Sequence, residues 1–236
     1  VRDLGGHASL SGKSTRWQVF VRADNLSRLN TQGIEALISY GVTTIVDLRS
    51  EREVAKKSYS HMLESKQLNS LEYINLPMLD RNSLGGTGAL ESIATLEELY
   101  LLILERCKEK IASIMRTLSN IQEGPAVFHC LGGKDRTGLI AAMLLAIADV
   151  PHYAIAEDYA VSAYYLEPIY NETLGDLGLN HLKLSEYEKY LSSPPEAILS
   201  VLNYLDIEYG GVNEYLRKSG VSIDDLNIIR NRLLED

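Results

Sequence analysis

Apolar and polar positions alternate in short runs over the first third of the chain, then recur at helical steps. Val42–Leu48 (VTTIVDL) is β-branched and apolar, the pattern of a strand covered on both faces. Arg16–Val21 (RWQVFV) and Leu71–Leu76 (LEYINL) predict two more strands, the second stopped by Pro77. A short helix is predicted over Gln32–Tyr40. Asn30 or Thr31 caps its start, Ile34, Leu37 and Ile38 form its apolar face, and Gly41 ends it. Asp80–Ala89 (DRNSLGGTGA) is polar and glycine-rich and reads as a mobile loop.

Thr95–Glu98 (TLEE) has the form of a capping box. It predicts one long helix, with Leu96, Leu99, Ile103, Cys107, Ile111, Ile114, Leu118 and Ile121 at steps of three and four until Gly124 and Pro125. A short strand Ala126–His129 and a glycine-bearing turn follow. Thr137–Ala148 is then apolar almost all round, as a buried central helix is. From Pro151 the chain reads as helical, with breaks at Gly175–Gly178 and Pro194–Pro195. Its last elements are Glu196–Tyr209, Asn213–Ser219 and a helix capped by Ser222. Strands alternating with helices predict an α/β fold, a central parallel or mixed sheet flanked by helices with a helical C-terminal half. Neither a linker nor a repeat divides the sequence, so a single domain over 1–236 is expected.

Composition narrows the function classes. A formal net charge of -9 argues against non-specific nucleic-acid binding, which needs a basic footprint. It leaves room for an anionic substrate, because a local basic site overrides the global field within a Debye length, about 8–10 Å. No apolar run reaches the ~18 residues of a membrane span, so no stable membrane insertion is expected. A cleaved leader upstream of Val1 is compatible with the sequence, so both a cytoplasmic and a secreted setting fit. Cys107 and Cys130 are too few for a disulfide scaffold, and no Cys/His group has zinc-ligand spacing. Cys107 lies on the apolar face of the long predicted helix and reads as core.

The chemistry concentrates in His129-Cys130-Leu131-Gly132-Gly133-Lys134-Asp135-Arg136-Thr137-Gly138, which joins a predicted strand to a helix N-terminus. Successive backbone N–H groups in such a turn make an anion cradle. Gly132 and Gly133 permit close approach of backbone to phosphate. A thiolate is the reactive form of cysteine, and a helix start with a nearby cation favours it, which makes Cys130 the candidate nucleophile. Arg136 can curl back so that its planar fork matches two phosphoryl oxygens. Thr137 is placed to hydrogen-bond the sulfur and ease its departure. His129 is expected to order the loop rather than act as a base. Leu131, Gly132, Gly133, Lys134 and Asp135 complete the expected substrate-binding cradle, with Lys134 able to hold a second anionic group. Histidine, cysteine, glycine, arginine, threonine and glycine at fixed offsets form a far more specific signal than a cysteine and arginine alone.

These residues resemble the cysteine-dependent protein phosphatase superfamily, and within it the bacterial atypical tyrosine/serine phosphatases, whose loop reads HC-x-x-GKDRTG. Arg2-Asp3-Leu4-Gly5-Gly6 resembles the family's RDLGG, Phe20–Leu26 its F-R-S-x-x-L segment, Asp47-Leu48-Arg49 with Glu53 its DLR-x-x-x-E motif, and Glu214-Tyr215-Leu216 its C-terminal segment. The resemblance implies a cysteine-phosphatase-like fold and hydrolysis of phosphotyrosine, with phosphoserine, phosphothreonine or phosphoinositides as further substrates. The Lys134-Asp135 pair is similar to loops of lipid-active members. A helical lid after the central helix, as in larger members, would fall at 157–195, where many of the 14 tyrosines lie.

A phosphate monoester leaves poorly unless its bridging oxygen is protonated. Asp80 and Asp135 are the candidate acids. Asp80 is favoured, because the acid must reach in from outside the cradle and because it matches a Leu-Pro-x-x-Asp segment of the resembling family. Its bland alternative is a turn residue capping Asn82 or Ser83. Arg22 and Arg49 each could reach the site rim or form structural ion pairs, and Asp3 and Asp47 read as structural partners of arginines or turn amides. The expected partner is a phosphorylated protein, or alternatively a phosphoinositide. The expected chemistry needs no metal and no cofactor. Rhodanese-like sulfur transfer and an inactive phosphate-binding module are the rivals; the Arg136-Thr137-Gly138 ending disfavours the first, and the intact Cys130 and Arg136 the second.

Overall fold

The computed structural model describes residues 1–57, 71–80, 83–84, 93–121, 123–167 and 192–234. Among these, strands β1 (Arg2–Asp3), β2 (Phe20–Ala23), β3 (Thr44–Asp47), β4 (Glu72–Asn75) and β5 (Ala126–His129) form one sheet. The order is β1-β2-β5-β3-β4, with β1 antiparallel to β2 and every other pair parallel. The sheet is therefore mixed, with β5 at its centre.

Side chains on a strand alternate between its two faces, so each face needs its own cover. Val21, Ala23, Ile45 and Val127 pack with Ile34 and Leu37 of helix α1 (Thr31–Ser39). Phe20, Val46, Ala126 and Phe128 join the larger core on the other face. That core is built by α3 (Leu96–Arg106), α4 (Lys108–Asn120), α5 (Asp135–Ile147), α6 (His152–Leu166), α7 (Pro195–Tyr209), α8 (Val212–Lys218) and α9 (Ile223–Leu233). A short α2 (Glu51–Lys56) follows β3. In α5 nearly every side chain is buried, which is why its sequence shows no polar stripe. The architecture is the expected α/β fold with a helical C-terminal half. No helix among the described residues is long and apolar enough to cross a membrane.

Several element boundaries differ from the sequence reading. The first long strand lies at Phe20–Ala23 rather than Arg16–Val21. Arg16 donates its amide to Leu233, and Gln18 takes a left-handed φ of 61° with its amide on Asp3 Oδ2, so the chain before Phe20 is committed elsewhere. The long helix breaks at Cys107, whose φ of -115° and ψ of 20° end α3 and begin α4. A stripe at steps of three and four survives such a break, so periodicity alone did not reveal it. The central helix begins at Asp135, two residues before Thr137. Positions 81–82 and 85–89 of the glycine-rich stretch, and 168–191 of the expected lid, lie outside the described residues.

Candidate active site

β5 ends at His129, level with the carboxyl ends of its two parallel neighbours at Ala23 and Asp47, and Cys130–Lys134 turn directly into α5. This is where open α/β sheets place ligands. The Cys130 sulfur accepts the Gly133 N–H at 3.2 Å. Gly133 has a φ of +66°, and a Cβ there would come within 2.6 Å of the Ala23 carbonyl oxygen, so only glycine fits the turn. Arg22 Nη2 donates to the Gly133 carbonyl at 3.0 Å. In a trans peptide the following N–H, that of Lys134, then points away from Arg22. Arg22 is itself held by Asp158 Oδ2 at 2.5 Å and is almost fully buried.

His129 is fully buried and its Nδ1–H donates to the Cys130 carbonyl at 2.9 Å. Burial pushes its pKa down to about 4, against the opposing pull of Asp47, whose carboxylate lies 3.6 Å away. A neutral buried imidazole on a backbone carbonyl orients the loop and has no free proton for the reaction.

Arg136, in the first turn of α5, is also buried. Its Nη1 and Nη2 donate to Glu53 Oε2 and Oε1 at 2.8 and 2.7 Å. Glu53 is at the same time the third residue of a capping box on α2, accepting the Ser50 amide and hydroxyl at 2.8 Å each. Burial pushes the Glu53 carboxyl pKa upward, but the Arg136 hydrogen bonds and charge outweigh it and bring it to about 2. Burial likewise disfavours the Arg136 charge, and the facing Cys130 and Glu53 more than restore it. One end of the fork is thus clamped, while the Nε–H has no partner among the described residues. That edge is available to an oxyanion.

Thr137 Oγ1 is buried and makes no hydrogen bond among the described residues, so the bond to sulfur expected from the sequence is not formed. Leu131 is buried beside the loop, and a Cβ at Gly132 would meet open space. Lys134 is 3% exposed rather than solvated; its Nζ donates to the Ser192 carbonyl at 3.1 Å and lies 3.4 Å from Asp135 Oδ1. Asp135 keeps a partly exposed carboxylate, and its Oδ1 accepts the Tyr100 hydroxyl at 2.5 Å. Asp80, by contrast, is exposed. Its Oδ1 accepts the Ser83 amide at 2.8 Å and its Oδ2 the Lys110 ammonium at 2.5 Å. Cys107 is buried at the helix break, and burial raises its thiol pKa.

Arg49 turns to Asp47, with Nη2 2.7 Å from Oδ2, and both are fully buried; Asp3 receives the Gly5 and Gln18 amides. These are structural roles. Sequence reasoning did not single out Glu53 as the Arg136 clamp, Asp158 as the Arg22 partner, or Tyr100 and Tyr159 behind Asp135. For Glu53 a signal existed: Ser50-x-x-Glu53 is a capping box directly after a strand. The other contacts bridge distant segments and leave no local pattern.

A family model described as the tyrosine phosphatase family matches residues 1–235. A tyrosine-protein phosphatase of Nostoc commune is 29% identical over 223 residues, 91% of this chain and 74% of that protein. The triple specificity protein phosphatase PtpB of Mycobacterium tuberculosis is 24% identical over 247 residues, 90% of each chain. The crystal structure of TpbA from P. aeruginosa superposes with a TM-score of 0.40 at 16% identity, covering 76% of this chain and 89% of that one.

Proposed function

The chain belongs to the tyrosine phosphatase family, and from that premise we propose that it hydrolyses phosphotyrosine through a phosphocysteine intermediate on Cys130. The observation that carries this reading is the pairing at one loop of a sulfur that accepts the Gly133 N–H and a buried guanidinium clamped by Glu53. Cys130 attacks phosphorus in line, forming an S–P bond as the bond to the phenolic oxygen breaks. Loop amides and the Arg136 Nε edge hold the equatorial oxygens and meet the charge spread over them in the transition state.

The leaving oxygen takes a proton from a carboxylic acid. Asp135 follows the loop directly, with a partly exposed carboxylate fixed by the Tyr100 hydroxyl, and these two features favour it. Asp80 is the second reading, favoured by its position just beyond β4 and by a carboxylate that is exposed and can exchange partners. In the second step water attacks phosphorus, the S–P bond breaks, and the carboxylate formed in the first step takes the water's proton. The unpartnered Thr137 hydroxyl is the donor that can stabilise the departing thiolate. An orphaned buried hydroxyl costs roughly 1–3 kcal/mol, and such groups gather at working sites.

Phosphoserine, phosphothreonine and phosphoinositides are further candidate substrates for the same chemistry. Lys134 is already engaged with Ser192 and Asp135, so a second anionic group on an inositol lipid would have to displace those contacts. The deciding experiment is Cys130→Ser. It should lower kcat on a phosphotyrosine peptide by on the order of 10⁴-fold or more while still binding that peptide. Retained turnover would sink the nucleophile assignment. A parallel panel of phosphoserine peptides and inositol lipids sets the substrate range.

A further inference from the structure

Behind Asp135 stand two buried phenols that the two-step reaction does not use. Tyr100 on α3 and Tyr159 on α6 are each at most 1% exposed. Their hydroxyl oxygens are 2.6 Å apart, and their rings meet edge to face with centroids separated by 6.1 Å. Tyr100 donates its one hydroxyl proton to Asp135 Oδ1 at 2.5 Å, so the proton between the two phenols belongs to Tyr159. The chain runs in one direction, from Tyr159 to Tyr100 to Asp135. It links three elements that share no local sequence pattern.

We propose that Tyr100 and Tyr159 are positioning residues for the phosphatase reaction, holding Asp135 Oδ1 so that its Oδ2 faces the leaving oxygen and carries the proton. The inference rests on Asp135 as the proton-transfer group. Tyr100 serves the carboxyl in both of its states. When Oδ2 is protonated, Oδ1 is the carbonyl oxygen and accepts from Tyr100. After Oδ2 has given its proton to the phenolic oxygen, Oδ1 shares the negative charge and accepts more strongly. In the second step Oδ2 takes the proton back from water, and the pair of phenols ends as it began.

Burial, with the nearby Asp135 charge, pushes the pKa of both phenols well above the ordinary value. They therefore stay donors across the working pH range. Asp135 occupies the first turn of α5 and is partly exposed, so without this chain only Lys134, 3.4 Å from Oδ1, would restrain its carboxyl. The lost order would be felt in the proton-transfer step, because among the described residues neither phenol hydroxyl hydrogen-bonds Cys130, Arg136 or a loop amide.

The test compares phenyl phosphate, a poor leaving group, with p-nitrophenyl phosphate, a good one that needs little protonation. Tyr100→Phe keeps the ring and should lower kcat on phenyl phosphate about 10-fold, a fraction of the roughly 10²–10⁴-fold that a positioned general acid supplies. KM and turnover of p-nitrophenyl phosphate should change less than about threefold. Tyr159→Phe should show the same selectivity with a smaller loss, and it serves if Tyr100→Phe fails to fold. In an Asp135→Asn background, Tyr100→Phe should add nothing. Equal losses on both substrates, or a full further loss in that background, would show a merely structural pair and overturn the inference. If Asp135→Asn itself left phenyl phosphate turnover intact, the acid assignment would fall first and the relay with it.

Discussion

The ion pairs that hold Arg136 and Asp80 are built in opposite ways. Arg136–Glu53 is bidentate and largely buried, and the carboxylate is fixed a second time by Ser50 at the start of α2. Lys110–Asp80 is a single contact between side chains 35% and 50% exposed. The first fixes a charge in advance and cannot be rearranged without leaving a desolvated ion behind. The second exchanges readily with water. A group that meets the same phosphoryl charge in both steps suits the first construction.

The strongest way to break this contrast is Arg136→Lys. An ammonium keeps the charge but cannot grip Glu53 at two points and present a further N–H to an oxyanion. A loss of kcat on the order of 10³-fold is expected, the scale of removing a preorganised donor from a developing charge. Steady-state kinetics on a phosphotyrosine peptide measures it. A loss below about tenfold would mean that charge alone matters, and the clamp with Glu53 would lose its meaning.

Acid stability probes the same buried side. His129 titrates at about 4 in the fold against 6.5 for the free side chain, and Glu53 at about 2 against 4.5. In both cases the unfolded chain binds more protons between the two values, so stability rises with pH across each window. As pH falls, His129 costs the fold about 3 kcal/mol between roughly pH 6.5 and 4, and Glu53 a similar amount between roughly pH 4.5 and 2. Urea midpoints measured at intervals from about pH 7 to 3 should fall continuously. His129→Gln should flatten the upper window and leave the lower one. A flat wild-type profile above about pH 4.5 would show that the imidazole is not held neutral.

The contrast also explains what was legible in advance. The loop from His129 to Gly138 is contiguous, and its glycines, helix start and cysteine–arginine spacing are all local facts. Strand and helix existence was readable for the same reason, from the β-branched apolar run at β3 and from the stripe on α3 and α4. The exact start of β2 was not, because Gln18 and Arg16 are drawn off by Asp3 and Leu233, far away in sequence. The partners of Arg22 and Asp135 were hidden for that reason too. Asp158 reaches Arg22 across 136 positions, and Tyr100 reaches Asp135 across 35. Nothing in a window of ordinary length ties either pair together.

Arg22 gives an intermediate effect. It touches no reacting atom, yet it holds the Gly133 carbonyl and so the direction of the next N–H. Arg22→Lys cannot serve Asp158 and Gly133 together with the same geometry. The expected result is KM raised about tenfold, with kcat changed less, since one cradle amide among several is misdirected. Unchanged KM in a folded variant would show that the loop holds its shape without this support.

The smallest effect is expected at Asp80, and it decides between the two acids. Asp80→Asn loses an exposed ion pair with Lys110, worth roughly 0–1 kcal/mol, while the amide oxygen can still accept from Ser83. Thermal stability should therefore shift little. If Asp135 is the acid, phenyl phosphate turnover should stay within about threefold of wild type. If Asp80 leaves Lys110 and swings in to protonate the leaving oxygen, the same variant should lose roughly 10²-fold or more on phenyl phosphate and far less on p-nitrophenyl phosphate. Lys110→Met separates the cases further. Freeing a mobile acid should raise turnover or move its pH dependence, whereas freeing a turn residue should change neither. Only the first outcome would make the exchangeable pair the moving part of the site and the fixed pair its frame.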